Sequence, residues 1–229
     1  MTRRLAAEGL GAFFLFVCVV GSGIMAENLA DGNDAIALLG NTAATGAMLF
    51  VLITVFGPIS GAHLNPAVSL VAAARGDLGW GSAAGYVAAQ LSCGILGAWA
   101  AHLMFDLPTL QLSEKARYGL GQWLGEAIAT FGLILTIYGT ARHRPQWIPA
   151  TVALYITAAY WFTSSTSFAN PAITVARSLS NTFAGISPSH VPGFVIAQLL
   201  GAFAAALVVR WLFDSEPQKV NANPAPTSH

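Results

Sequence analysis

The chain has 229 residues, 55% of them hydrophobic and only 9% charged, with ten basic and ten acidic side chains that cancel. A soluble domain carries about 25% charged residues, so this composition excludes an ordinary soluble fold and reads as an all-α integral membrane protein. The neutral balance and the lack of a basic stripe give no reason to expect nucleic acid as a partner.

Arg3 and Arg4 open the chain, and an apolar segment follows at 5–25. Glu8 interrupts it and no small-residue cleavage site follows, so it is expected to be retained as a first span. Further apolar segments lie at 38–57, 82–105, 121–140, 148–166 and 192–213. Each is long enough for a hydrocarbon core of about 30 Å, which takes about 20 helical residues. The intervals 66–75 and 171–180 are too short to span, because about ten residues make about 15 Å of helix. Each follows a Gly- or Ser-containing run read as extended, 58–64 and 163–169. Extended backbone at that depth is tolerated only where it is buried or lines a wet cavity. The short intervals are therefore read as two re-entrant half-helices that meet in the middle. Residues 214–229 are polar and Pro-containing, and are expected to form a disordered cytoplasmic tail.

The halves repeat. Leu5–Phe13 matches Trp123–Phe131, Glu8 falling on Glu126, and Gly85–Leu91 matches Gly193–Leu199. One channel domain over 1–213 is expected, with repeats of about 3–105 and 119–213. Three spans per repeat is an odd number, so the second repeat is inverted and the half-helices enter from opposite faces. With the N-terminus inside, seven basic residues (Arg3, Arg4, Arg75, Arg142, Arg144, Arg210, Lys219) are cytoplasmic and three (Lys115, Arg117, Arg177) are outside. That bias predicts both termini in the cytoplasm.

Asn65-Pro66-Ala67 and Asn170-Pro171-Ala172 begin the two short intervals. Asn is a strong N-cap and Pro is pre-set for the first helical position. Each Asn oxygen is expected to accept an early helix N–H, leaving its amide hydrogens for the lumen. Two facing helix N-termini put about half a positive charge each at the midplane. Water donated to by both Asn residues turns its hydrogens away, which breaks proton relay and opposes cations. A third Asn-Pro-Ala at 223–225 has no apolar segment after it and is read as chance. Glu8 and Glu126, carboxylates in apolar helices, need partners. They form either a proton or ion relay or, as expected here, supports that accept N–H groups from the re-entrant loops.

With these motifs, the string Ser60-Gly61-Ala62-His63-Leu64-Asn65-Pro66-Ala67-Val68 resembles the aquaporin (major intrinsic protein) family over residues 3–213. The resemblance implies six helices plus two half-helices, assembled as a homotetramer with one pore per subunit. Common members place Arg directly after the second motif, where this chain has Ile173. Counting along the family pattern, the other constriction positions fall on Thr45, Ala158 and Ser167. All four are small or apolar, which implies a pore wide enough for polyols. Arg177 lies one turn beyond Ile173 on the same helix face. It either reaches back to the constriction or, as expected, holds loop carbonyls near the outer surface. His63 is expected to face the inner vestibule in a structural role rather than as a pH gate. Residues 166–186 further resemble bacterial aquaglyceroporin-type members associated with arsenic resistance, which implies neutral trivalent arsenic hydroxide among the permeants.

Gly81/Gly85 and Gly121/Gly125 are expected helix-packing faces. Cys18 and Cys93 read as buried small hydrophobes. No catalytic triad, phosphate loop or metal-ligand cluster is legible, so no enzyme activity, metal or cofactor is expected. The reading is a passive channel for small uncharged solutes (glycerol-like polyols, water, arsenite) in the bacterial inner membrane. The alternatives are an ion-coupled secondary transporter and a non-conducting scaffold.

Overall fold

The computed structural model describes residues 1–213; the tail and its third Asn-Pro-Ala lie outside the described residues. The helices are α1 (Thr2–Leu29), α2 (Asp34–Ser60), α3 (Pro66–Arg75), α4 (Trp80–Met104), α5 (Leu120–His143), α6 (Ile148–Phe162), α7 (Pro171–Ser178) and α8 (Val191–Phe213). Each expected apolar segment is helical over most of its length. Among the described residues, five helices are long and apolar enough to cross a membrane alone. The exception is α6, whose 15 residues make about 22 Å. A 3-10 turn at Pro145–Trp147 precedes it and extended backbone follows it from Thr163. The expected span 148–166 therefore stops being helical at Phe162.

Two other boundaries shift. Helix α2 continues through Pro58 to Ser60, so the first extended run begins at Gly61 rather than at 58. Proline's fixed φ suits a helix even though it withholds an N–H. The chain leaves the helix only at Gly61, where φ is 90°, a value that glycine reaches without a Cβ penalty. Helix α7 ends at Ser178, not at 180.

Packing follows the sequence repeat. Helix α1 lies along α4 and α2, α5 lies along α8 and α6, and α2 meets α6 between the halves. Both α3 and α7 rest on α4 and α8, and they touch each other. The outward faces carry exposed Leu10, Phe14, Leu124, Ile128, Leu154 and Leu200, as lipid contact requires. The interior is small-residue and aliphatic, with Ala12, Ala98, Ala129 and Ala202 fully buried around Phe16, Val20 and Ile134.

The tight crossings are not all where the glycine pairs suggested. Gly85 meets Leu5 and Gly125 meets Ser165, whereas Gly81 faces open space and Gly121 is only grazed by Ser164. Glycines outside those pairs make closer approaches, among them Gly132 against the Tyr155 hydroxyl, Gly94 against the Phe16 ring, and Gly97 and Gly201 against the Phe13 and Ala127 backbones. The two cysteines are unpaired and half-buried rather than fully buried; the Cys18 thiol donates to the Ala44 carbonyl at 3.4 Å.

Candidate functional site

Each half-helix starts on its asparagine. Asn65 Oδ1 accepts from the Ala67 N–H at 2.9 Å. Asn170 Oδ1 accepts from Ala172 at 2.9 Å and Ile173 at 3.3 Å. Pro66 and Pro171 hold the first helical positions. Ala67 and Ala172 are fully buried, and their small size lets α3 and α7 approach.

The amide nitrogens differ from the sequence expectation. Asn65 Nδ2 donates to the Ala169 carbonyl at 2.7 Å, and Asn170 Nδ2 donates to the Leu64 carbonyl at 2.8 Å. Each amide has two hydrogens, so one latches the opposite repeat and the other is left for the cavity, which both residues line. Spacing could not reveal this exchange, because it joins residues more than 100 positions apart.

The buried carboxylates sit behind the loops. Glu8 accepts from Ser60 Oγ at 2.6 Å, His63 N at 2.9 Å, Leu64 N at 2.7 Å and Gln90 Nε2 at 2.8 Å. Glu126 accepts from Phe168 N at 2.8 Å, Ala169 N at 2.9 Å and Gln198 Nε2 at 2.6 Å. These loops hold non-glycine residues at positive φ: Ala62 and Leu64 in one, Ser167 and Ala169 in the other. Such conformations cost of order 1–3 kcal/mol each and persist only where surroundings over-determine them. The carboxylates and the asparagine latches supply that determination. Neither Glu lines the cavity.

A cavity of about 280 Å³ runs past the two asparagines. Arg4, Asp77 and Tyr138 line one end, and Tyr160, Ser167 and Arg177 the other. The lining is aliphatic at Leu15, Val19, Val68, Leu133, Val152 and Ile173. The same lining is polar at His63, along the re-entrant segments 61–64 and 167–169, and at the two asparagines. His63 Nδ1 lies 3.1 Å from Ser69 Oγ, and the ring packs edge-on to Tyr86 at 5.3 Å.

Thr45, Ser167 and Ile173 are buried and line the cavity. Ala158 does not. It is exposed on the other side of α6, whose cavity face carries Val152, Ile156 and Tyr160. Counting from the motif fails because the irregular 163–169 stretch breaks the helical phase between Asn170 and α6. The α6 side chain at this level is Tyr160, its hydroxyl 3.3 Å from Thr45 Oγ1. The four-residue spacing of Val152, Ile156 and Tyr160 is the helical signal that could have found it.

Arg177 is buried and holds a loop carbonyl, the expected role. Its Nε donates to the Ala184 carbonyl, and the side chain lines the cavity. Its guanidinium carbon lies 3.3 Å from the Phe168 ring centre. Sequence reasoning missed Arg117, which approaches the same ring at 5.1 Å. Arg117 Nε donates to the Gly185 carbonyl at 2.8 Å, and its Nη1 to the Ser165 carbonyl at 3.3 Å. Burial pulls Arg117 below its ordinary value against the pull of Glu126, yet a guanidinium stays protonated at neutral pH. In the sequence it is one of three expected outer cations, and nothing in a loop's composition announces burial.

Comparisons with known proteins agree with this geometry. The family model for Major intrinsic protein matches residues 1–165 and 147–228. The aquaglyceroporin AqpS of Rhizobium meliloti is 57% identical over 214 residues, 93% of this chain and 91% of that protein. The aquaporin AqpM of Methanothermobacter thermautotrophicus is 32% identical over 93% of this chain and 98% of its own length. The solved aquaglyceroporin of Plasmodium falciparum superposes with a TM-score of 0.72 at 19% identity, covering 90% of this chain and 94% of its own, which shows the shared fold. A bundle with paired half-helices around an amphipathic cavity and these family matches together make the chain a member of the major intrinsic protein family, a passive channel for small uncharged solutes.

Proposed function

We infer that the permeants are small polyhydroxylated or hydrated neutral solutes: glycerol-like polyols, water, and neutral trivalent arsenic hydroxide. The observation that carries this reading is the mixed aliphatic and polar lining of the cavity. Its aliphatic side chains suit a solute's carbon atoms, and His63, the asparagines and the re-entrant backbone suit its hydroxyls. The naming of AqpS as an aquaglyceroporin supports the polyol assignment. Thr45, Ser167 and Ile173 set the narrow level together with Tyr160, while Asn65 and Asn170 with the two half-helix dipoles set a midplane barrier to protons and cations. Glu8 and Glu126 are supports; their oxygens are taken up by loop donors, which argues against an ion-coupling site.

Residues 1–213 act as one channel domain of two inverted repeats. Seven cytoplasmic against three outer basic residues favour both termini inside the plasma membrane. The family likeness supports a homotetramer in the bilayer. Stopped-flow light scattering on proteoliposomes, with glycerol, urea, water and arsenous acid and no ion gradient, tests the reading. Uncoupled glycerol flux above empty vesicles is expected. Water flux without glycerol or urea flux overturns the polyol assignment, and flux that requires a proton or sodium gradient makes the protein a transporter.

A further inference from the structure

At the outer end of the cavity, two buried guanidinium groups grip one aromatic ring. Arg177 comes from the last turn of α7 and Arg117 from the loop before α5, and Phe168 is their common contact. Each is tied to a backbone carbonyl of the segment after α7: Arg177 to Ala184 and Arg117 to Gly185. Among the described residues, neither has a carboxylate within ion-pair distance. Their charge is therefore held in place and left uncompensated by any contact. Nearby Ser167 Oγ is buried, lacks a hydrogen-bond partner and belongs to a cavity-lining residue.

We propose that Arg177, one helical turn beyond Ile173, is the charged specificity residue of the outer pore, and that Arg117 positions it through Phe168. The proposal rests on the channel reading above. Helix side chains lean toward the N-terminus, so a residue one turn outward delivers its terminal nitrogens back toward the level of Ile173 and Ser167. The Nε bond to Ala184 fixes the fork, and because the residue lines the cavity its remaining N–H groups are the donors this proposal offers to a passing solute oxygen. Ring contact from two cations holds Phe168 in turn, since guanidinium groups favour aromatic faces. A fixed positive charge in a narrow, poorly solvated passage repels cations. This adds a second barrier, in series with the one at the asparagines.

Arg177→Gln tests it, because Gln keeps an N–H donor for the loop and removes only the charge. Arg177→Lys keeps charge and loses the fork. Proteoliposomes are assayed for sodium, proton and chloride leak and for glycerol flux. The expected result for Arg177→Gln is a sodium and proton leak raised about tenfold with chloride leak unchanged or lower, glycerol flux persisting. Arg177→Lys keeps the wild-type cation leak. Arg117→Gln shifts the cation-to-chloride ratio in the same direction by less. A rise in cation and chloride leak together marks a loosened structure and overturns the proposal, as does no change in either with glycerol flux intact. If the variant does not fold, the ratio in Arg117→Gln decides. Wild-type vesicles without glycerol flux would instead overturn the polyol reading, which this ratio does not touch.

Discussion

The two re-entrant loops share a framework and differ in what they show to the solute. Behind the first stand Glu8, Gln90 and Ser69; behind the second stand Glu126, Gln198 and Thr174, with matching bonds. The backbone repeats as closely: φ is 47° at Ala62 and 48° at Ser167, three residues before each asparagine, and 48° at Leu64 and 47° at Ala169, one before. The faces diverge. The first loop presents His63 against Tyr86, and the second presents Ser167 beside Phe168 under two arginines. Tyr86 and Phe194 occupy matching places in the repeats and are both fully buried. Yet Tyr86 donates to the Ser60 carbonyl, whereas Phe194 packs on Phe168 at 5.1 Å. The groups that satisfy the loop backbone are duplicated, whereas His63 and Ser167, which line the cavity beside the duplicated asparagines, are not.

The harshest way to break this comparison is to remove a support. Glu126→Ala strips acceptors from two backbone N–H groups and Gln198. Leaving buried donors unsatisfied costs about 1–3 kcal/mol each, so roughly 3 kcal/mol or more is expected. Glu8→Ala removes one partner more, the Ser60 hydroxyl, and is expected to be at least as damaging. Thermal unfolding in detergent measures both. Gln at either position keeps an acceptor oxygen and is expected to preserve uncoupled flux with a smaller loss. If Glu8→Gln instead abolishes an ion dependence of the flux, the carboxylates are coupling groups and the comparison is wrong.

A milder disturbance uses a crossing that the repeats solve in opposite ways. At one crossing α1 supplies Gly9 and α4 supplies Cys93; at the matching one α5 supplies Ala127 and α8 supplies Gly201. A Cβ at Gly9 would meet the Cys93 sulfur at 2.8 Å, whereas one at Gly201 would run into the Ala127 carbonyl. A side chain can turn aside and a helix backbone cannot. Gly201→Ala is therefore expected to lower stability by about 1–3 kcal/mol and Gly9→Ala by clearly less. Equal losses in thermal melts would show that the helices separate freely at both crossings.

What was legible in the sequence follows the same division. Spans, half-helices, caps and support carboxylates repeat, and repetition makes a signal visible in one chain. Helix ends were less legible where local rules compete: Pro58 reads as a helix stop but sits inside α2. The Arg177 end of the cavity was least legible, because Arg117, Phe168 and Arg177 meet only through a fold that joins three separate segments. Arg177 could be placed one turn beyond Ile173, but no spacing tells where its Nε will find a carbonyl.

The lining itself can be sharpened at Ile173. This side chain is buried on the cavity wall of α7, and the first loop has Val68 in the matching place. Ile173→Arg adds bulk and a second cation one turn from Arg177. Glycerol flux is expected to fall about tenfold, equivalent to about 1.4 kcal/mol on the barrier, and water flux by less. Equal falls in both would mean a blocked pore rather than a narrowed one.

The smallest expected effect separates the counted position from the observed one on α6. Ala158 is exposed, while Tyr160, two residues on, is buried in the cavity wall with its hydroxyl on Thr45. Two residues along a helix is a rotation of about 200°, which sends one side chain inward and the other away. Ala158→Leu therefore adds apolar surface to an outward face and is expected to leave the ratio of glycerol to water flux unchanged. Tyr160→Phe keeps the ring and removes one polar atom from the solute path, so glycerol flux should fall a few-fold, with a loss of about 1 kcal/mol for a single hydrogen bond. Stopped-flow measurements on the two variants in parallel compare the positions directly. A changed ratio in Ala158→Leu alongside an unchanged one in Tyr160→Phe would return the constriction to the place reached by counting, and would mean that α6 turns its other face to the pore.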